Sequence, residues 1–313
     1  MPPSKPATSL AFGTAFGAAL LGAVLILASC GQILGVSSWV DVGGSTDGAA
    51  DEGALDATGP PGDGALLDGG AEGPTTGPCA SPVDGGAGGV LVDEGGSLPF
   101  CIDATETTVA LYAVFLSDPS LNPAQGQPPE CGWNTTYAPF YNAYAGDPQA
   151  LQRPVTSVDW CDARAFCAYW GKHLCGNRID AGPVDPTASL SQSEWYYACA
   201  GSEGSSYPYG NTYEPARCRT NLPFDAGAGI VPTTTCVGNV TGLYDMSGNL
   251  AEWENSCIPS GTGDAGDDPC LTRGGTFFFA PDSVTCDGRT GGALNPRNGS
   301  DTAAVTVRCC WEP

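Results

Sequence analysis

The chain is poor in the groups that most enzymes use for acid–base and metal chemistry. Of its 313 residues one is a histidine, His173. A two-histidine facial triad for non-haem iron cannot be assembled from it, nor can a histidine-rich zinc hydrolase site. A Ser-His-Asp triad would have to run through that one side chain. It follows a helical pattern, where a cation at a helix C-terminus is the simpler role. Positive charge is scarce too: 11 Lys and Arg stand against 34 Asp and Glu, a net charge of −23. Such a polyanion repels nucleic-acid phosphates and anionic lipid headgroups, which excludes nucleic acid as a partner. There is no C-x-x-C pair for a zinc ribbon, no G-x-S-x-G elbow and no Gly-rich phosphate loop ending in Lys-Ser or Lys-Thr.

Cysteine and glycine are plentiful, 15 and 45 residues. Together with the dearth of lysine they describe a loop-rich, cross-linked, exported protein. The N-terminus agrees with export. Lys5 precedes an uncharged apolar run over residues 10–27, and Leu27-Ala28-Ser29-Cys30 reads as a bacterial lipobox with Cys30 as the lipidated first residue. An uncleaved anchor is the alternative, since about 18 apolar residues can just span a bilayer. Both readings put the rest of the chain in the bacterial cell envelope, facing periplasm or medium, with membrane contact through the anchor only. Removing Cys30 leaves 14 cysteines, enough for seven disulfides of open connectivity. Residues 41–78 hold no aromatic and no basic side chain, so they cannot bury enough apolar surface to fold. As a flexible coil from Cys30 this acidic tether spans about 35–40 Å. The resulting organisation is a signal peptide over 1–29, a tether over 30–78 and one folded domain over 79–313.

Within that domain strong helical signals are few. Thr108 can cap a helix carrying Leu111, Tyr112, Phe115 and Leu116, stopped by Asp118-Pro119. Trp160, Ala163, Phe166, Cys167 and Trp170 recur at helical spacing behind Asp159, with Asp162 three residues on and Gly171 at the end. Ser191 and Glu194 form a capping-box pattern before a short helix ended by Gly201. The remainder reads as turns, short strands and long loops, an α+β domain stapled by disulfides. Three Asn-x-Ser/Thr sequons, at Asn134, Asn239 and Asn298, read as plain surface turns.

The most informative stretch is GLYDMSGNLAEW, residues 242–253. Asp and Glu supply hard oxygens and the glycines let backbone carbonyls turn inwards, which is how a short loop builds a calcium site. A tight Gly-rich turn capped by Asp and Asn accounts for the same residue types.

This segment resembles the G-L-x-D-M-x-G-N-x-W-E-W signature of the sulfatase-modifying factor family, to which formylglycine-generating enzymes belong, with Ala251 at the inner Trp. ETTVALYAVFL, RPVTSVDWCDARAFCAYWGKHL, SQSEWYYACAG, YPYGN, RTNL, LTRGGTF and VTVRCC follow the family's order over roughly residues 101–310. The resemblance implies a C-type-lectin-like α+β fold of low regular content, often calcium-bound. It implies a calcium site from the side chains of Asp245 and Glu252 and the carbonyls of Gly248 and Leu250, and a second site starting at Asn221 and Leu222, with Asp225 as a candidate acidic partner. His173 falls where the family has a helix-end Arg or Lys.

Active members of the family bind Cu(I) through two cysteines spaced C-x4-C after R-G-G-S, and oxidise the cysteine of a Cys-x-Pro-x-Arg sequence to formylglycine. Soft Cu(I) needs both thiolates. Here RGGT spans 273–276, and the two cysteine positions are filled by Phe279 and Val284. Cys286 is the nearby candidate for a catalytic thiolate, with a structural disulfide as its alternative. Two readings follow. One is a tethered, calcium-stabilised module binding a protein, peptide or glycan at a cleft lined by Phe277, Phe278 and Phe279. The other is a copper oxidase with a rearranged site, using Cys286 and another cysteine such as Cys270 or Cys309.

Overall fold

The computed structural model describes residues 77–93, 98–141, 144, 147–185, 190–222, 231–232, 235–288, 294–299 and 304–313. The expected signal peptide, Cys30, most of the expected tether and Asp225 lie outside the described residues. The elements run β1 (Gly89–Val92), β2 (Phe100–Asp103), α1 (Val109–Ser117), α2 (Trp160–Tyr169), β3 (His173–Leu174) and α3 (Glu194–Ala200). They continue with β4 (Ala251–Cys257), β5 (Pro269–Arg273), β6 (Leu294–Pro296), β7 (Val305–Thr306) and β8 (Cys309–Trp311). Among the described residues no helix is long and apolar enough to cross a membrane.

Two four-stranded sheets result, ordered β1-β2-β8-β3 and β6-β5-β4-β7. In the first, every pairing is antiparallel and β8 fills the gap between β2 and β3, with Cys310 opposite both Ile102 and His173. The approach at its edge is close: a Cβ on Gly89 would lie 2.2 Å from the Ile102 carbonyl oxygen, so only glycine fits. In the second sheet β4 pairs antiparallel with β5 and parallel with β7, and its register slips between Trp253 and Cys257. The α+β fold of low regular content, rich in disulfides, is thus observed.

Among the described residues, two of the three α-helices start where local chemistry directs. Thr108 caps α1, its hydroxyl accepting from the Leu111 N–H at 3.2 Å. Asp159 and Asp162 form a reciprocal capping box on α2, and Gly171 follows the helix at φ +69°. The third start differs from the Ser191 pattern. Ser193 caps α3 through the Tyr196 N–H, while Ser191 sits in a preceding 3-10 turn. The Glu194 carboxylate accepts from the Gly176 N–H and faces His173, so it does not serve a capping box. Between α1 and α2 lies an aromatic core in which Tyr112 stacks on Phe166 at 5.3 Å and Phe115 meets Phe166 edge-on.

All 14 cysteines from Cys79 onward are paired. The bonds are Cys79–Cys101, Cys131–Cys161, Cys167–Cys309, Cys175–Cys310, Cys199–Cys286, Cys218–Cys236 and Cys257–Cys270. Adjacent residues of β8 therefore fasten to α2 and to the end of β3.

Candidate functional site

Strand β4 carries the charge at the centre of the domain. Its period of two puts Glu252 and Glu254 on one face and Trp253 on the other, where the indole donates to the Val158 carbonyl at 3.0 Å. Both carboxylates are fully buried, and each meets an arginine. Arg308 forks onto Glu252, with Nε to Oε2 at 2.8 Å and Nη2 to Oε1 at 2.7 Å. Its remaining donors reach the carbonyls of Asp103 and Tyr244. Trp195 Nε1 adds a third donor to Glu252 Oε2 at 2.6 Å. Arg273 forks onto Glu254 Oε2 at 2.9 and 3.1 Å, and Ser193 donates to Glu254 Oε1. Neither pair stood out in the sequence, although both arginines fall within quoted motifs, LTRGGTF and VTVRCC. In a chain with 11 basic residues, an Arg flanked by apolar or Gly residues was the available signal.

The loop over 242–253 is folded by left-handed residues, Asp245 (φ +59°), Gly248 (φ +79°) and Asn249 (φ +57°). Gly248 is fixed by space as well, since a Cβ there would sit 2.2 Å from the Arg219 carbonyl oxygen. The Asp245 carboxylate accepts from the Cys236 N–H at 2.8 Å and from the Thr235 hydroxyl at 2.9 Å. A third carboxyl joins them from β2's exit: Glu106, also fully buried, accepts from the Leu250 N–H and the Asn249 amide. Burial first, then the charges of Asp245 and Glu252, push its pKa well above the usual carboxylate range.

This donor set does not fit a calcium ion held by Asp245 and Glu252. The Glu252 charge is already matched by a buried guanidinium, and three donors occupy its two oxygens. Among the described residues no group of three metal-capable side chains converges. At the second expected site, Asn221 is left-handed (φ +56°), and the N–H groups of Asn221 and Leu222 donate to the carbonyls of Phe279 and Phe277.

The same two bonds pin the Phe277–Phe279 run to that loop. Phe277 is 6% exposed and belongs to the interior, whereas Phe278 and Phe279 are half-buried and stack edge-on at 5.0 Å. Val284 is buried, and its carbonyl accepts from the Ser247 hydroxyl. Cys286 is bonded to Cys199 and fully buried. It is therefore a structural cysteine rather than a catalytic thiolate, and Cys270 and Cys309, its suggested partners, are likewise spent. These residues do not fit copper, because no thiolate pair is present among them. His173 is in β3 rather than at a helix end, and its Nε2 faces Glu194 Oε2 at 2.9 Å. Burial opposes its protonation, but the Glu194 partnership outweighs burial and holds its pKa above the usual value.

A family model described as the sulfatase-modifying factor enzyme 1-like domain matches residues 96–311. Over 124 residues the chain is 36% identical to the inactive C-alpha-formylglycine-generating enzyme 2 of Bos taurus, covering 36% of each. Over 112 residues it is 31% identical to the formylglycine-generating enzyme of Bos taurus, covering 32% of this chain and 26% of the relative. The matched regions thus span about a third of these curated relatives' length. Among solved structures, PvdO from Pseudomonas aeruginosa superimposes with a TM-score of 0.45 at 20% identity, over 69% of this chain and 81% of that one.

Proposed function

The chain belongs to the sulfatase-modifying factor enzyme 1-like family, and from that premise we propose that it is a non-catalytic member, an envelope-tethered binding module rather than an oxidase. One observation carries this reading: every cysteine from Cys79 onward is in a disulfide, so no thiolate pair exists for Cu(I). The apolar side chains of Phe279 and Val284 at the positions of the family's cysteine pair support it. The half-buried rings of Phe278 and Phe279 offer a surface for a peptide, protein or glycan.

The test is to incubate the full, oxidised chain with copper and a peptide bearing a Cys-x-Pro-x-Arg core. Mass spectrometry is expected to find no formylglycine, and maleimide under native conditions to label no cysteine of the folded domain. Peptide retention that falls in Phe279→Ala at an unchanged melting temperature fits a surviving binding face. Turnover of the peptide would restore the oxidase reading.

Tethering is part of the same proposal and rests on the apolar run over 10–27 and the Leu-Ala-Ser-Cys sequence ending at Cys30. In a bacterial host fed an alkyne fatty acid, the wild-type chain is expected to take up label and Cys30→Ser to lose it. Equal labelling of both would remove Cys30 as the anchor.

A further inference from the structure

A cleft of about 280 Å³ opens at the N-terminal end of α2, away from every residue considered above except its two capping carboxyls, Asn134 and Asn298. Trp133 and Phe140 contribute aromatic rings, Asn134 and Asn298 contribute amides, and Asp159 and Asp162 contribute carboxyls. The carboxyls are deep, 8% and 2% exposed, while Phe140 at the mouth is 53% exposed. No basic side chain is among the described lining residues. The neighbouring Arg297 is directed elsewhere, with Nη2 3.3 Å from Asp268 and its guanidinium 5.0 Å from the Trp160 ring centre.

Capping α2 does not require this much negative charge. Asp159 Oδ1 accepts from the Asp162 N–H at 2.7 Å, and Asp162 reaches back to the Asp159 N–H. A neutral Ser or Asn does the first of these as well as Asp does. Asn134, expected on a surface turn, is instead 4% exposed and donates to Asp162 Oδ1 at 2.7 Å. A helix N-terminus supplies only about half a positive charge, so two ionised carboxyls leave a negative surplus. The pair responds by holding protons: burial lifts Asp159 to about 7 despite its backbone hydrogen bonds. Burial, then the Asp159 charge, lifts Asp162 well above its usual range. Tyr112 and Tyr137 face the same carboxyls and are held up first by burial and then by those charges, so they stay neutral.

We propose that this cleft binds an organic cation, the ammonium or guanidinium group of a basic protein side chain or of a free amine. Aromatic faces attract such a group through their quadrupoles, and carboxylates take its N–H donors in charge-assisted bonds. The volume lies just below the ~300–1,000 Å³ of ordinary small-molecule sites, which suits one headgroup with its alkyl stem. The proposal is independent of the Phe278 and Phe279 surface, with which the cleft shares no residue.

The full chain would be titrated calorimetrically near pH 7 with acetyl-arginine amide, Nα-acetyl-lysine amide, n-butylamine, the neutral isostere acetyl-citrulline amide and N-acetylglucosamine. The cations are expected to bind, to bind more tightly as pH rises from 6 to 8, and to release protons measurable as a buffer-dependent heat. Citrulline and the sugar are expected to bind at least about tenfold more weakly. Asp159→Asn keeps the cap and is expected to weaken cation binding about tenfold. Phe140→Ala, at an exposed position, is expected to weaken it while the melting temperature holds. Tighter binding of either the arginine or the lysine amide than of n-butylamine identifies a protein side chain as the source, and tighter n-butylamine identifies a free amine. Equal binding of citrulline amide, sugar binding in place of the cations, full affinity in Asp159→Asn, or no saturation by any cation would overturn the proposal.

Discussion

Arg308→Met is expected to destabilise the domain by about 3–5 kcal/mol, because it leaves a buried carboxylate without its counter-charge. The loss should fall at the upper end of that range. Arg308 serves more than Glu252, since its charge also restrains the pKa of Glu106, which burial and then Asp245 and Glu252 push up. Removing the guanidinium leaves three buried carboxyls with no cation and strands the carbonyls of Asp103 and Tyr244. The sign of the pH dependence follows. Without Arg308 the folded-state pKa of Glu106 rises further above its unfolded value of about 4.3. A group raised in the folded state contributes its full stability below the unfolded pKa and loses it as pH climbs through the folded one. Urea midpoints of Arg308→Met against wild type should therefore differ more at pH 8 than at pH 5. A deficit independent of pH would mean that lost packing, not stranded charge, is the cause.

The same measurement separates the arginine from calcium. A micromolar calcium site would add about 4 kcal/mol at 1 mM calcium, through mass action on the folded state. Because Glu252 spends its charge on Arg308, the wild-type midpoint is expected not to move between 1 mM calcium and chelator. A rise of that size would show that the loop admits the ion beside the guanidinium.

What could be read beforehand was whatever local chemistry decides. The caps at Thr108 and Asp159, the aromatic spacing of α2 and the ordered motifs are short-range signals, and they led to the α+β domain. The Ser191 pattern failed because a better cap lay two residues on and Glu194 had a partner in His173, 21 residues away. The Glu252–Arg308 pair joins residues 56 apart and exists only once β8 enters between β2 and β3. No local pattern announces it, and for that reason Glu252, read as a metal ligand, is found as an ion-pair partner. Asn134 was misplaced on the surface similarly: its partner Asp162 is 28 residues on and buried.

The largest loss is expected when the two bonds that fasten β8 are removed together, and each individual loss should fall well short of what its own loop length suggests. Cys167–Cys309 and Cys175–Cys310 close loops of 142 and 135 residues, which taken singly suggest about 5 kcal/mol each in the chain-entropy model. Yet they join neighbouring positions at both ends. With one intact, the other closes a path of only about ten residues, for which the same model gives roughly 3 kcal/mol. With both gone, the second loss is that of a long loop, shortened by Cys199–Cys286 to roughly 50 residues and still about 4 kcal/mol. Replacing either cysteine pair by alanines should thus leave a folded domain with a lowered denaturant midpoint. Replacing both should cost about 7 kcal/mol, a large part of the 5–15 kcal/mol that holds a typical domain together. It should also release β8, taking Arg308 away from Glu252. Protection of the β8 amides from hydrogen exchange reads this directly. If the four-alanine chain keeps that protection, the charge pair and strand pairing hold the strand without the disulfides.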